Sequence, residues 1–303
     1  MQQSQNNFIF AVFTFLLGVF FLQLMGVVVK YIGSTYPALQ LSFLRNVFGL
    51  IPILIFVLIS KNLKNENLFM KIPMMWVAIL RGFFMAFAQF CFFSSLLYLQ
   101  FATANSLTLV TPFMVAIFSI PILKIHVGAW KWTAIIIGFL GAFVIIDPPS
   151  NEVFSIYSIL PLGASFGYGM NLVLVRTFPN RVPTVIIQWY SQISSIIFSL
   201  ILVTLTFKFV NIQSLSDLSM IILMGIFGGA GVFLMMVSYR MTNHINLGPF
   251  HYFGIIFSFI LGWVFFKETP FDELFPGIIF IVLAGFIIYW REKKKSSNKH
   301  NTV

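Results

Sequence analysis

Charged side chains are scarce in this chain, 9% of 303 residues, and acidic ones scarcer still, with eight Asp and Glu in all. Soluble domains carry about a quarter of their residues as charges, so this composition excludes one. The eight are Glu66, Asp147, Glu152, Asp217, Glu268, Asp272, Glu273 and Glu292, and each falls in an expected loop, at a span end or in the tail. Carboxylates in mid-membrane are the usual proton and cation sites of coupled carriers. Their absence argues against a carboxylate proton relay, while Na⁺ held by carbonyls and hydroxyls stays open. The single cysteine, Cys91, rules out an intrachain disulfide and any CxxC metal site. No metal and no cofactor are expected. No GxxxxGK[ST] string occurs, which leaves no P-loop for ATP hydrolysis. No Lys or Arg precedes the first apolar run in MQQSQNNFIF and no A-x-A site follows it, so that run reads as a retained first span.

What the chain has instead is apolar length. Hydrophobic residues make up 59% of it, and the 39 Phe are bulky packing material. Runs of about 20 apolar residues, enough to cross a ~30 Å hydrocarbon layer, recur end to end. They define an all-α polytopic membrane protein with ten expected spans. These are Phe8–Val29, Pro37–Ile59, Pro73–Leu99, Ala104–Leu123, Lys131–Ile146, Phe154–Val175, Pro183–Phe207, Leu218–Tyr239, Ile245–Phe266 and Pro270–Trp290. The last two are joined by one charged knot, Lys267 to Glu273. There Thr269 suits a cap, Pro270 the first helical position, and Asp272 stands three residues after the cap. A tight antiparallel pair is the expectation. Every connection is short, and the polar stretch Lys61 to Lys71 is the longest.

With the N-terminus placed in the cytoplasm, thirteen Lys and Arg fall inside and three, Lys30, Lys208 and Lys267, outside; Arg45 and Arg81 lie within spans. This bias predicts both termini in the cytoplasm and an even number of spans. The net charge of +10 is thus a topology signal and gives no reason to expect nucleic acid. A weak repeat appears at an offset of 143 residues, pairing Gly26 with Gly169, Gly82 with Gly225, Phe90 with Phe233, Ser95 with Ser238 and Lys124 with Lys267. Five spans per unit would invert the second unit relative to the first, the architecture of secondary transporters. The expected organisation is therefore two inverted five-helix repeats, residues 1–147 and 148–290, followed by a basic cytoplasmic tail, 291–303.

Particular residues carry a family likeness over nearly the whole chain. Lys30, Pro37 and Arg45 in VVVKYIGSTYPALQLSFLRNVFGLIPIL, Arg81 at the start of the third span, and Thr111-Pro112 in the fourth are one set. Glu268, Gly277 and Gly285, in WVFFKETP to PGIIFIVLAG, are the other. On these the chain resembles the EamA-type transporters of the drug/metabolite transporter superfamily. It departs at Ile125, where the first-half Glu is absent, and at Ile255, where the second-half Pro is absent. The resemblance implies a ten-helix bundle around a central cavity, in the cytoplasmic (inner) membrane, working by alternating access on a small-molecule metabolite. Substrates across such families include amino acids, nucleotide-like compounds, riboflavin, S-adenosylmethionine and quaternary amines.

The candidate substrate-binding residues are Gln23, Arg45, Arg81, Gln89, Tyr168, Asn171, Trp189, His251 and Tyr252. An intramembrane Arg is costly unless it meets a partner or cavity. Arg45 and Arg81 therefore read either as anchors for an anionic group of the substrate or as structural arginines bonded to helix ends or lipid phosphate. The buried amides and aromatics, Gln192 among them, read either as interhelical bonds or as a cavity lining with orienting dipoles. His251 reads as a neutral hydrogen-bonded residue or a proton-coupling group. The glycines at Gly163/Gly167 and Gly225/Gly229 have the spacing of close helix packing. Facilitated diffusion or exchange is the expected mode, by a monomer or homodimer among membrane lipid. Two rivals remain. Gly163-Ala164-Ser165-Phe166-Gly167 matches GxSxG, which with His251 would make an intramembrane serine hydrolase; a channel is the other, though no ring of charge or filter-like string supports one.

Overall fold

The computed structural model describes residues 2–33, 35–59, 72–95, 98, 107–146, 156–206, 209–242, 244–266, 279–284, 286–287 and 290. The Lys61–Lys71 stretch, the knot at Lys267–Glu273, Gly277, Gly285 and the 291–303 tail lie outside these residues, as do the carboxylates other than Asp217. The described chain is helical throughout, with no strand among the described residues. Its α-helices are α1 (Gln2–Ile32), α2 (Ala38–Phe48), α3 (Leu50–Ile59), α4 (Met75–Ser95), α5 (Thr111–Leu123), α6 (Ala129–Ile146), α7 (Ile159–Leu174), α8 (Thr184–Thr206), α9 (Leu215–Met241) and α10 (Phe253–Phe266). Seven helical stretches are long and apolar enough to cross a membrane, and two shorter apolar helices, Thr111–Leu123 and Ala129–Gly141, accompany them. Of the last expected span, helical residues are described at 279–284, 286–287 and 290.

Local chemistry accounts for most boundaries. Pro37 precedes α2 with φ −56° and ψ 138°, the extended geometry that proline's ring allows. The second span is one run, Ala38–Leu58, that breaks at Gly49 into α2 and α3. Pro112 sits at the start of α5, where no amide hydrogen is needed, and Lys124 in the left-handed region (φ 51°) ends that helix. Ser214 caps α9 by accepting from the Asp217 amide at 3.0 Å. The ninth span departs from a plain α-helix, because residues His244–Tyr252 form a 3₁₀ helix containing Pro249 before α10 begins. Runs of that length are uncommon in 3₁₀ geometry and mark strained or mobile junctions.

In lipid the hydrophobic effect does not press helices together, so close packing and interhelical hydrogen bonds must do it. Helix α9 lies between α1 and the α2–α3 span, α4 lies between α7 and α8, α5 packs on α7, and α10 packs on α1. Small residues set these approaches. A Cβ added at Gly18 would come within 2.9 Å of the Gly231 carbonyl oxygen, and one at Gly231 within 2.9 Å of the Gly18 oxygen. At Gly82 it would meet the Ser191 oxygen at 2.4 Å, and at Gly225 the Phe48 Cβ at 2.3 Å. The last two contacts correspond under the 143-residue offset, since Gly82 maps to Gly225 and Phe48 to Ser191. The same offset maps α1 on α9 to α7 on α4, α2 on α9 to α8 on α4, and α5 on α7 to α10 on α1, all of which are packed pairs.

Each end of the bundle has its own ties. At one, Tyr36 and Gln40 reach the segment leading into α9: Tyr36 donates to Asp217 at 2.7 Å, and Gln40 exchanges bonds with the Val210 amide and carbonyl at 2.8 and 2.6 Å. At the other end, Arg176 donates to the Arg240 and Thr242 carbonyls at 3.1 and 2.5 Å. Arg240 donates there to Val182, Pro179 and Thr184. These two arginines supply donors to carbonyls that helix ends leave unpaired.

Candidate functional site

The nine candidate residues fall into three groups and one outlier. Arg45 on α2 is 1% exposed. Its Nη2 donates to the Gly228 carbonyl on α9 at 2.7 Å and its Nη1 to the Asn46 amide oxygen at 2.9 Å. Its Nε–H has no partner, and it lies against Gly228, where a Cβ would come within 2.4 Å of it. Asn46 and Gln89 on α4 exchange amide bonds at 2.8 and 3.2 Å, and Ser42 donates to the same Gln89 oxygen at 2.7 Å. Gln192 on α8 closes the group by donating to the Asn46 carbonyl at 2.7 Å. Tyr168, half-buried on α7, stands within electrostatic reach of Arg45.

Arg81 belongs to a second group. Its Nε donates to the Asn171 carbonyl at 3.0 Å, Nη1 to Ser191 Oγ at 2.8 Å, and Nη2 to the Asn171 side-chain oxygen at 3.3 Å. The Asn171 amide nitrogen returns a bond to the Arg81 carbonyl at 2.8 Å. Every guanidinium nitrogen of Arg81 is therefore bound inward, to α7 and α8. Neither arginine reaches outward, Arg81 being fully buried. Asp217, the one carboxylate among the described residues, is bound to Tyr36 at a bundle end, so no described acid neutralises either arginine.

The third group sits where α1 meets the 3₁₀ segment and α10. His251 packs edge-on against Phe15, with ring centroids 5.6 Å apart. Tyr252 is fully buried against Gly138 of α6, and its hydroxyl has no partner. The Gln23 amide nitrogen faces Gly254, 3.0 Å from where a Cβ would stand. Trp189, the outlier, packs half-buried against the main apolar core.

The groups include residues that sequence reasoning did not single out. Asn46, Ser42, Ser191 and Ser199, the last accepting from the Asn46 amide at 3.5 Å, are all buried. A signal existed: Gln188, Ser191, Gln192, Ser195 and Ser199 recur at helical spacing along Thr184–Thr206, which draws one polar stripe on an apolar helix. Ser165 points elsewhere. Its hydroxyl donates to the Leu107 and Thr108 carbonyls at 3.3 and 3.2 Å and makes no bond to His251. Replacing Ser165 by Ala should leave transport intact and cost at most about 1 kcal/mol of stability. Labelling of Ser165 by a fluorophosphonate would contradict this.

Among the described residues, seven long apolar helices, two shorter ones and hydrogen-bonded polar groups sealed among them define a multi-pass membrane protein. The chain belongs to the EamA-like transporter family, whose sequence model matches residues 9–147 and 155–290, and it is a membrane transporter rather than an enzyme. Among its relatives, the S-adenosylmethionine uptake transporter of Rickettsia prowazekii is 22% identical over 302 residues, covering 100% of both chains. The pseudopaline exporter CntI of Pseudomonas aeruginosa is 26% identical over 273 residues, covering 88% of this chain and 92% of its own. The riboflavin transporter of Vibrio cholerae is 27% identical over 180 residues, covering 59% of each. A solved crystal structure superposes with a TM-score of 0.77 at 17% identity, covering 92% of this chain and 96% of its own, a likeness of fold.

Proposed function

We propose that the protein is a secondary transporter that carries small polar metabolites bearing a carboxylate, by facilitated diffusion or exchange, through alternating access. Residues 1–147 and 148–290 act as two inverted five-helix units, supported by the packed pairs that recur at the 143-residue offset. The distribution of Lys and Arg supports both termini in the cytoplasm of an inner-membrane protein.

The observation that carries the substrate class is Arg45. A buried guanidinium with one N–H unpartnered, and no described carboxylate to neutralise it, favours an arriving anion over a resident one. Asn46, itself held by Gln89, fixes the guanidinium, and the Tyr168 phenol lies within its electrostatic reach. S-adenosylmethionine, named for several relatives, carries an α-amino-carboxylate and is the first candidate. Gln23 and His251, where α1 meets the 3₁₀ segment, supply amide and aromatic surface for the remainder of the substrate. Arg81 and Asn171 brace α4 against α7 and α8.

Purified protein in liposomes preloaded with unlabelled S-adenosylmethionine should accumulate labelled S-adenosylmethionine transiently by counterflow. Riboflavin, which has no carboxylate, should compete weakly. Uphill uptake driven by a pH gradient would overturn the exchange reading, and unsaturable conductance would overturn the carrier reading.

A further inference from the structure

We propose that Tyr36, Gln40 and Asp217 form a latch that holds the bundle shut at their end, an inference that rests on the alternating-access reading above. Four hydrogen bonds join segment 35–41 to segment 209–217. Tyr36 donates to Asp217 Oδ2 at 2.7 Å while accepting from the Gln213 amide at 3.0 Å. The fully buried Gln40 side chain takes both backbone groups of Val210, at 2.6 and 2.8 Å, as a neighbouring strand would. Asp217 also donates its amide to Ser214, so the latch is continuous with the first turn of α9. Beneath it Val28, Ile32, Leu41, Leu44, Ile221 and Met224 form one buried apolar plug from α1, α2 and α9. No path can open between α2 and α9 at this end while the four bonds hold.

The opposite end is tied by different chemistry. Under the 143-residue offset Tyr36 corresponds to Pro179, Gln40 to Pro183 and Asp217 to Met74. Proline offers neither a hydroxyl nor any N–H, and methionine no carboxylate. Among the described residues the Arg176 and Arg240 ties run within residues 176–242. Bonds that do cross between the proposed units join Arg81 to Asn171 and Ser191, deeper in the bundle, at the positions equivalent to Met224, Val28 and Phe48. Two inverted units of equal stability would make the two end states equally populated. Removing the Tyr36–Gln40–Asp217 bonds while leaving the Arg81 bonds intact shifts the equilibrium towards the state open at the latch end. On the proposed orientation the latch closes the external face.

The test reads accessibility and needs no substrate, so its failure is separable from failure of the transport assay. In a Cys91→Ser background, Ile221→Cys places one thiol in the plug, and a membrane-impermeant maleimide is applied in liposomes. Tyr36→Phe, which removes both bonds at the hydroxyl, should speed labelling about tenfold, the change expected from losing one charge-assisted bond. Gln40→Leu should act in the same direction, and the two together should exceed either. Val182→Cys reports the other end and should label no faster in the latch variants. An unchanged rate at Ile221→Cys overturns the proposal. So does a rise at both reporters, which would mean general loosening of the bundle.

Discussion

Replacing Gly82 or Gly225 by Ile should destabilise the protein by about 3 kcal/mol or more in each case, and by similar amounts. At Gly82 the new Cβ would stand 2.4 Å from both the Ser191 carbonyl oxygen and Ser194 Cβ. At Gly225 it would stand 2.3 Å from Phe48 Cβ, with Phe48 backbone atoms at 2.9 and 3.0 Å. Backbone cannot swing aside as a flexible side chain can, so α4 must part from α8, or α9 from α2. Parting α4 from α8 also stretches the bonds from Ser194 to the Ile79 carbonyl and from Ser195 to the Gly82 carbonyl, at 2.8 and 3.0 Å. Thermal unfolding in detergent should show midpoints lower by roughly 5–10 °C for both variants. The equality matters as much as the size, because the positions stand 143 residues apart. A large effect at one and none at the other would count against two equivalent five-helix units. Gly128 is the control, since nothing lies within 4 Å of a Cβ added there.

That pair also marks where the sequence was readable. Apolar runs located the described spans, because a span's length is fixed by hydrocarbon thickness and needs no tertiary context. The glycine spacing announced close packing. It did not say which helix would come close, since Phe48, the partner of Gly225, lies more than a hundred residues away. The same limit governed Arg81. Its spacing from the span end left snorkelling open, and its real partners, Asn171 and Ser191, are 90 and 110 residues distant. Two local features were also hidden. The second span breaks at Gly49 although it reads as one run in hydropathy, and His244–Tyr252 adopts 3₁₀ geometry where hydropathy favours a plain helix. Asn46 went unremarked beside Arg45, although a polar neighbour in an apolar span is what an intramembrane arginine requires.

The two arginines should separate cleanly when each is replaced by Met. Arg81→Met should lose about 3 kcal/mol of stability, because it strands the Asn171 oxygen atoms and Ser191 that the guanidinium binds. The fraction that folds should still transport at the ordinary rate per molecule. Arg45→Met should do the reverse. Its inward bonds go to Gly228 and Asn46, of which Asn46 keeps Gln89 as a partner, so the structural loss is smaller. Transport of a carboxylate substrate should fall about 100-fold, or ~2.7 kcal/mol, near the top of the range for a hydrogen bond to a charged partner. Arg45→Lys keeps the charge but has no planar fork, so it cannot hold Gly228 and Asn46 while presenting a further N–H; about a tenfold loss is expected. Uptake per folded molecule, set beside the unfolding midpoint of each variant, resolves the two roles. A folded Arg45→Met protein that exchanges S-adenosylmethionine at the unaltered rate would remove Arg45 from the substrate site. The proposed carboxylate recognition would fall with it, whatever became of the latch.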